Sequence, residues 1–168
     1  MEHKMRRFKQ LLPNEEAKNI LMKATNGVLS LVDTDGEPYG VPISFVYDGD
    51  KAIYFHSAVS GHKLDCMAHD SRCSFCVVAQ DNIVPEEFTT YFRSVIVKGN
   101  MVIVSDPDEI QKGLLLLCEK YSPDIDSTDE ISKCLKRVKV LRLDISQITG
   151  KESIELVRMK AHSSDADR

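Results

Sequence analysis

Residues 53–63 read I-Y-F-H-S-A-V-S-G-H-K, and the layout of the chain turns on this stretch. Ile53, Tyr54 and Phe55 read as a strand that empties into a small, polar loop of His56, Ser57, Ala58, Ser60 and Gly61. A helix starts there, with Lys63 in its first turn. The first N–H groups of a helix lack intrahelical partners, and the helix dipole favours negative charge at that end. Ser57, Ser60 and the Lys63 ammonium add to this, so a phosphate is the expected guest. Taken alone, the same residues also describe a capped surface helix with a solvated lysine.

Working outward, Asp48-Gly49 is a hairpin signal before the strand at 52–56. The strand preceding it covers about 39–47. Pro42 inside it cannot donate a ladder bond, which puts that stretch at an edge, a bulge or a ligand-facing break. Upstream, Asn14 caps a helix to about residue 25, with Glu15 and Glu16 in its favourable first turn. Gly27 ends that helix, 28–32 is a strand, and Asp33 to Gly36 is a tight turn. Downstream, a helix ends near His69, 74–79 is a fourth strand and 80–89 a loop. Residues 91–104 form a long strand or a bent pair, with Gly99 at a bulge or turn. Asp106, Pro107 and Glu109 open a helix running to Tyr121. A further helix covers about 129–137, the last strand 138–145, and the polar tail after Met159 frays. Strands in hairpin order with helices at the start, middle and end imply a mainly β (α+β) fold: a six-stranded antiparallel barrel with flanking helices. A single domain over 1–160 with a disordered tail over 161–168 is expected.

The chain has 168 residues, enough for one domain with a proper core. Its apolar fraction of 42% and charged fraction of 29% are ordinary for globular proteins. The net charge of −4 argues against general nucleic-acid or anionic-membrane binding. No apolar run approaches the roughly 20 residues of a membrane span. Residues 1–9 are basic, but no apolar h-region follows, so the expected location is cytoplasmic. Five cysteines, an odd number without scaffold spacing, are read as reduced thiols.

His62, Cys66, His69, Cys73 and Cys76 invite a zinc reading, since the first three share one helix face. Against it, Cys73 and Cys76 lie three apart in a strand and so face opposite ways. Two small buried hydrophobes are the better account, and no metal is expected. Tyr39, Tyr47, Tyr54, Phe45 and Phe55 are read as core or interface, Glu86-Glu87 as a solvated loop, and Arg6-Arg7 as a surface arm that could reach a cofactor phosphate. No G-x-S-x-G, P-loop or H-E-x-x-H is present, so hydrolase, NTPase and zincin readings lack support.

E-P-Y-G-V-P-I at 37–43, Y-D-G at 47–49, I-Y-F-H-S-A-x-x-G-x-K at 53–63 and Y-F-R-S-V-I-V-K-G at 91–99 together resemble the pyridoxamine 5′-phosphate oxidase-like split barrels. The branch containing nitroimidazole-resistance proteins is the most similar. The resemblance spans about 5–151 and implies a homodimer with flavin mononucleotide in clefts between two barrels. It implies that Val41, Pro42, Ile43 and Ser44 lie along the flavin ring through their backbone. His56, Ser57 and Ala58 would run beside the ring and ribityl chain. Ser60, Gly61, His62 and Lys63 would hold the phosphate, and Tyr91 and Ser94 would approach the flavin, from the partner subunit in one arrangement. Typical members carry a second Lys or an Arg where this chain has His62, which makes phosphate charge compensation weaker or pH-dependent. The Arg-rich substrate-phosphate site of the vitamin B6 oxidases is not found near the C-terminus. The expected activity is a ping-pong oxidoreductase that takes electrons from a nicotinamide or other small-molecule donor and passes them to a nitroaromatic or quinone acceptor. His56 is the candidate catalytic group, equally readable as a structural imidazole closing its strand. Rival readings are a haem-handling barrel using His56, His62 or His69, and a non-catalytic flavin sensor or carrier.

Overall fold

The computed structural model describes residues 5–135 and 137–166, the side chains of 163–166 excepted. Seven strands, not six, make its sheet: β1 (Asn26–Val32), β2 (Pro38–Ser44), β3 (Val46–Tyr47), β4 (Ala52–Ala58), β5 (Arg72–Val84), β6 (Thr89–Ile103) and β7 (Val138–Glu152). The helices are α1 (Asn14–Lys23), α2 (His62–His69), α3 (Pro107–Tyr121), α4 (Thr128–Cys134) and α5 (Ile154–Ala166). All strand pairs are antiparallel, in the order β2-β1-β5-β6-β7-β4-β3.

The strand expected over 39–47 breaks at Phe45, and its halves, β2 and β3, lie at opposite ends of the sheet. One stretch of chain therefore supplies both edges, and the sheet curls until its ends meet at Phe45. This is a split barrel. The Tyr121 hydroxyl, at the end of α3, plugs the break. It accepts from Phe45 N at 2.9 Å and faces the carbonyl oxygens of Phe45 and Thr25 as acceptors. Phe45 is fully buried, so water cannot replace that bond. Tyr121→Phe is therefore expected to cost about 1–3 kcal/mol, the price of an orphaned buried N–H, measurable by urea denaturation. An unchanged midpoint would show that the plug carries no energy.

Inside the barrel, Phe45, Phe75 and Phe55 pack edge to face at 4.8 and 5.3 Å between centroids. Leu29, Val77, Val97, Leu141 and Leu143 fill the rest. A second cluster, including Tyr54, Leu114, Leu117, Ile131 and Val140, sits outside β4 and β7 beneath α3 and α4. The Tyr54 hydroxyl donates to Glu109 Oε1 at 3.0 Å, and Arg142 donates to the same oxygen. The Glu109 side chain thus ties α3 to the sheet, while Asp106 caps the helix by accepting from Glu109 N.

Several boundaries differ from expectation. Asn14 is the first helical residue and Pro13 holds the cap position. Gly27 does not end α1. It lies in β1, where a Cβ would stand 2.5 Å from Phe75 Cζ. Residues 80–84 and 89–93 are not a loop but a two-stranded arm, because β5 and β6 keep pairing beyond the barrel. β7 runs to Glu152, matching the length of β6. The chain stays helical to Ala166, through most of the expected frayed tail; 167–168 lie outside the described residues. Lys160 anchors this helix by donating to Glu152 and Glu16. Gly99 does sit at a bulge, as its position in the long strand predicts.

Candidate functional site

The polar corner between β4 and α2 is built by where β4 leaves the barrel. Ala52 to Phe55 are buried, His56 and Ala58 exposed, and Ser57 half-buried. β3 pairs only with Ile53 and Tyr54, so His56, Ser57 and Ala58 have β7 on one side and an open edge on the other. Gly61 then takes φ +138°, a conformation L side chains avoid. α2 begins with no side-chain cap. Its Leu64 and Asp65 N–H groups donate to Gly61 O, at 2.8 and 3.3 Å. Those of His62 and Lys63 find no partner among the described residues.

Lys63 is half-buried and has no carboxylate partner among the described residues. Burial pushes its ammonium below the ordinary lysine range. The corner encloses a cavity of about 420 Å³. His56, Ser57, Ala58, Ser60, Gly61, His62 and Lys63 line it, so the structure brings these predicted residues together. Tyr39 of β2 joins them, its ring meeting that of His62 at 4.6 Å and 69°. Tyr39 was expected only in the core or an interface. Its alternation with Val41 and Ile43, which face the core, could not show that it also borders a ligand space.

Val41, Pro42, Ile43 and Ser44 lie on β2, an edge strand paired only with β1, as Pro42 requires. Their free edge borders the split. Pro42 and Ser44 are exposed, Val41 and Ile43 half-buried.

Tyr91 and Ser94 are not at this corner. Ser94 stands opposite Lys151, and His56 opposite Val140, toward the other end of β7. Tyr91 donates to Glu87 Oε2 at 2.7 Å within the arm, so Glu87 is not simply solvated. A larger cavity, about 520 Å³, opens beside Arg93, the neighbour of Ser94 in β6. It is bounded by α1, the start of β1, Arg93, and a bulge of β5 at Val78 and Ala79. No glycine or proline marks that bulge, so the sequence carried no signal for it. Arg6 and Arg7 line a separate hollow with Phe8, Lys9, Gln10 and Ile154 and do not reach the β4–α2 corner.

Of the His/Cys set, His62 and Cys66 meet, with Nε2 to Sγ at 3.7 Å. Cys73 packs on the core and Cys76 lies on the opposite face. Among the described residues no three His, Cys, Asp or Glu side chains converge. No described helix is long and apolar enough to cross a membrane.

The family model for pyridoxamine 5′-phosphate oxidase matches residues 13–152. No curated protein matches the chain by sequence. Among solved structures, it is similar to a candidate 5-nitroimidazole antibiotic resistance protein from Bacteroides thetaiotaomicron, with 23% identity and a TM-score of 0.73 over 84% of this chain and 86% of that one. A conserved hypothetical protein from Mycobacterium tuberculosis gives 17% identity and a TM-score of 0.77 over 91% and 92%. An FAD and haem binding protein from Mycobacterium smegmatis gives 22% identity and a TM-score of 0.72 over 87% and 74%.

Proposed function

The chain belongs to the pyridoxamine 5′-phosphate oxidase family, and from that premise we propose that it is a flavin oxidoreductase holding flavin mononucleotide by its phosphate at the β4–α2 corner. The observation that carries this is Lys63, a half-buried ammonium without a carboxylate, beside two unpartnered N–H groups. Such a set is uncomfortable empty and suits a phosphate dianion. Ser57 and Ser60 add hydroxyl donors, and the φ of Gly61 keeps the corner open.

Free-edge backbone groups of the Val41–Ser44 stretch would meet the polar rim of the ring and orient it. His56 stands exposed at the cavity, able to hold or pass a proton to a substrate. Once bound, the flavin supplies reversible two-electron chemistry. The fold likeness to a candidate nitroimidazole-resistance protein supports a small electron-poor acceptor, a nitroaromatic or quinone, with a nicotinamide-type donor.

A second copy of the chain completes the site. Exposed Val28, Ile96 and Val78 lie on one outward face across β1, β6 and β5. An apolar row on an open sheet marks an interaction surface. Ser94, opposite Val78, shares that face and would stand at the seam between two barrels, whereas Tyr91 points the other way, into a hollow lined by Glu155 and Arg158 of α5.

The test is the visible spectrum of the purified protein after adding flavin mononucleotide and desalting. A retained double band in the near-ultraviolet and blue supports the proposal. A Soret band after haemin, lost on a His→Ala change, supports the haem reading that one similar structure suggests. A colourless protein that retains neither overturns both.

A further inference from the structure

His62 lines the β4–α2 cavity beside Lys63, so the state of its imidazole decides what this corner offers a phosphate. Two contacts hold the ring. Tyr39 meets it edge to face from β2, and Cys66, one turn on in α2, places Sγ 3.7 Å from Nε2. Cys66 is fully buried, and burial pushes its thiol above the ordinary range, with Asp33 and Asp65 acting in the same direction. The thiol therefore keeps its proton at neutral pH, so its S–H is available as a donor to a ring nitrogen. Nδ1 has no partner among the described residues, and the ring lines the cavity beside Lys63. The other charged or titratable groups around it are His56, Lys63, Asp65 and Tyr39.

We propose that Cys66 is a positioning residue: its S–H donates to Nε2 of His62, fixes the proton of the neutral imidazole on Nδ1, and so gives the cavity an uncharged N–H donor for a phosphate oxygen. The inference rests on the flavin-phosphate reading for its ligand, but not for the thiol–imidazole bond.

The test uses two-bond proton–nitrogen correlation spectra of the labelled full-length protein at neutral pH, with flavin mononucleotide affinity measured in parallel. The His62 signals are assigned by their loss in His62→Gln. The expected spectrum shows the Nδ1–H tautomer. Cys66→Val keeps volume but removes the donor. In it, His62 should revert to the Nε2–H form that free imidazole side chains prefer, and the flavin Kd should rise roughly three- to ten-fold, the worth of one hydrogen bond. Cys66→Ser, whose hydroxyl still donates, should restore both readouts and guards against a Cys66→Val chain that fails to fold. An Nε2–H signal in the parent protein, or a Cys66→Val protein unchanged in both, overturns the inference. A parent protein with the Nδ1–H signal that binds neither flavin mononucleotide nor inorganic phosphate overturns the flavin reading and the ligand role together, leaving only the thiol–imidazole bond.

Discussion

Lys63→Ala protein should bind flavin mononucleotide about 30-fold more weakly than the parent, within a range of roughly 10- to 100-fold. A charge-assisted bond to a phosphate is worth about 1.5–3 kcal/mol, and each 1.4 kcal/mol is about tenfold in Kd. The pH dependence separates this from a general defect. Burial lowers the Lys63 pKa in the free protein, and a bound phosphate dianion draws it back up. Binding therefore takes up protons, and affinity falls as pH rises through the lowered lysine value. Lys63→Ala should lose that alkaline decline. Stability moves the other way. A lysine whose folded pKa lies below its unfolded value opposes folding at low pH, and the penalty lifts as pH rises through the folded value. The unliganded variant should therefore be no less stable than the parent near neutrality. Fluorescence quenching of free flavin on titration with protein gives the Kd. An unchanged Kd across pH would remove Lys63, and with it the phosphate corner, from the proposal.

Gly99→Ala should be the most damaging small substitution in the sheet. A Cβ there would lie 2.0 Å from the backbone oxygen of Asp144 and 2.8 Å from Leu143 Cδ2. Backbone, not a flexible side-chain tip, must move. The site is the β6–β7 bulge, where the extra residue Ser146 donates from Oγ to Lys98 O at 2.9 Å. Opening it disturbs two central strands together. The expected loss is about 3–5 kcal/mol, at the upper end for point changes. In a domain of this size that corresponds to a fall in Tm of roughly 10–15 °C. Gly40→Ala is the control. Its Cβ meets only Val28 Cγ1, at 3.5 Å, on the exposed edge strand, so its effect should stay within about 0.5 kcal/mol. Equal melting of the two variants would refute the steric argument.

What could be read from the sequence follows from how far apart the interacting parts lie. The β4–α2 corner is contiguous text, so strand, loop, glycine and helix start could be recognised before any tertiary contact was known. The α3 start is equally local, with Asp106 capping Glu109 N within one turn. The break at Phe45 was not legible, because its partner, Tyr121, is 76 residues away. Nothing at Phe45 differs locally from a strand residue. The β5–β6 arm escaped notice for another reason. Asp81, Asn82 and Ile83 are all exposed, so no apolar alternation marks it as strand. Tyr91 and Ser94 were singled out by the resemblance alone, and within one barrel they lie away from the corner.

The position of β7 has a consequence for how the molecule comes into being. It is the last strand in the chain, yet it lies between β6 and β4 in the sheet. Until it has been made, β2-β1-β5-β6 and β4-β3 are separate sheets with exposed edges, joined by the chain only at Phe45 and through α2. Emergence from a ribosome cannot build this barrel strand by strand, and closure must wait for nearly the whole sequence. Such long-range pairing slows folding and leaves unpaired edges open to aggregation in the meantime. A stop codon before Val138 should yield not a smaller barrel but two open sheets that a chaperone or protease meets first.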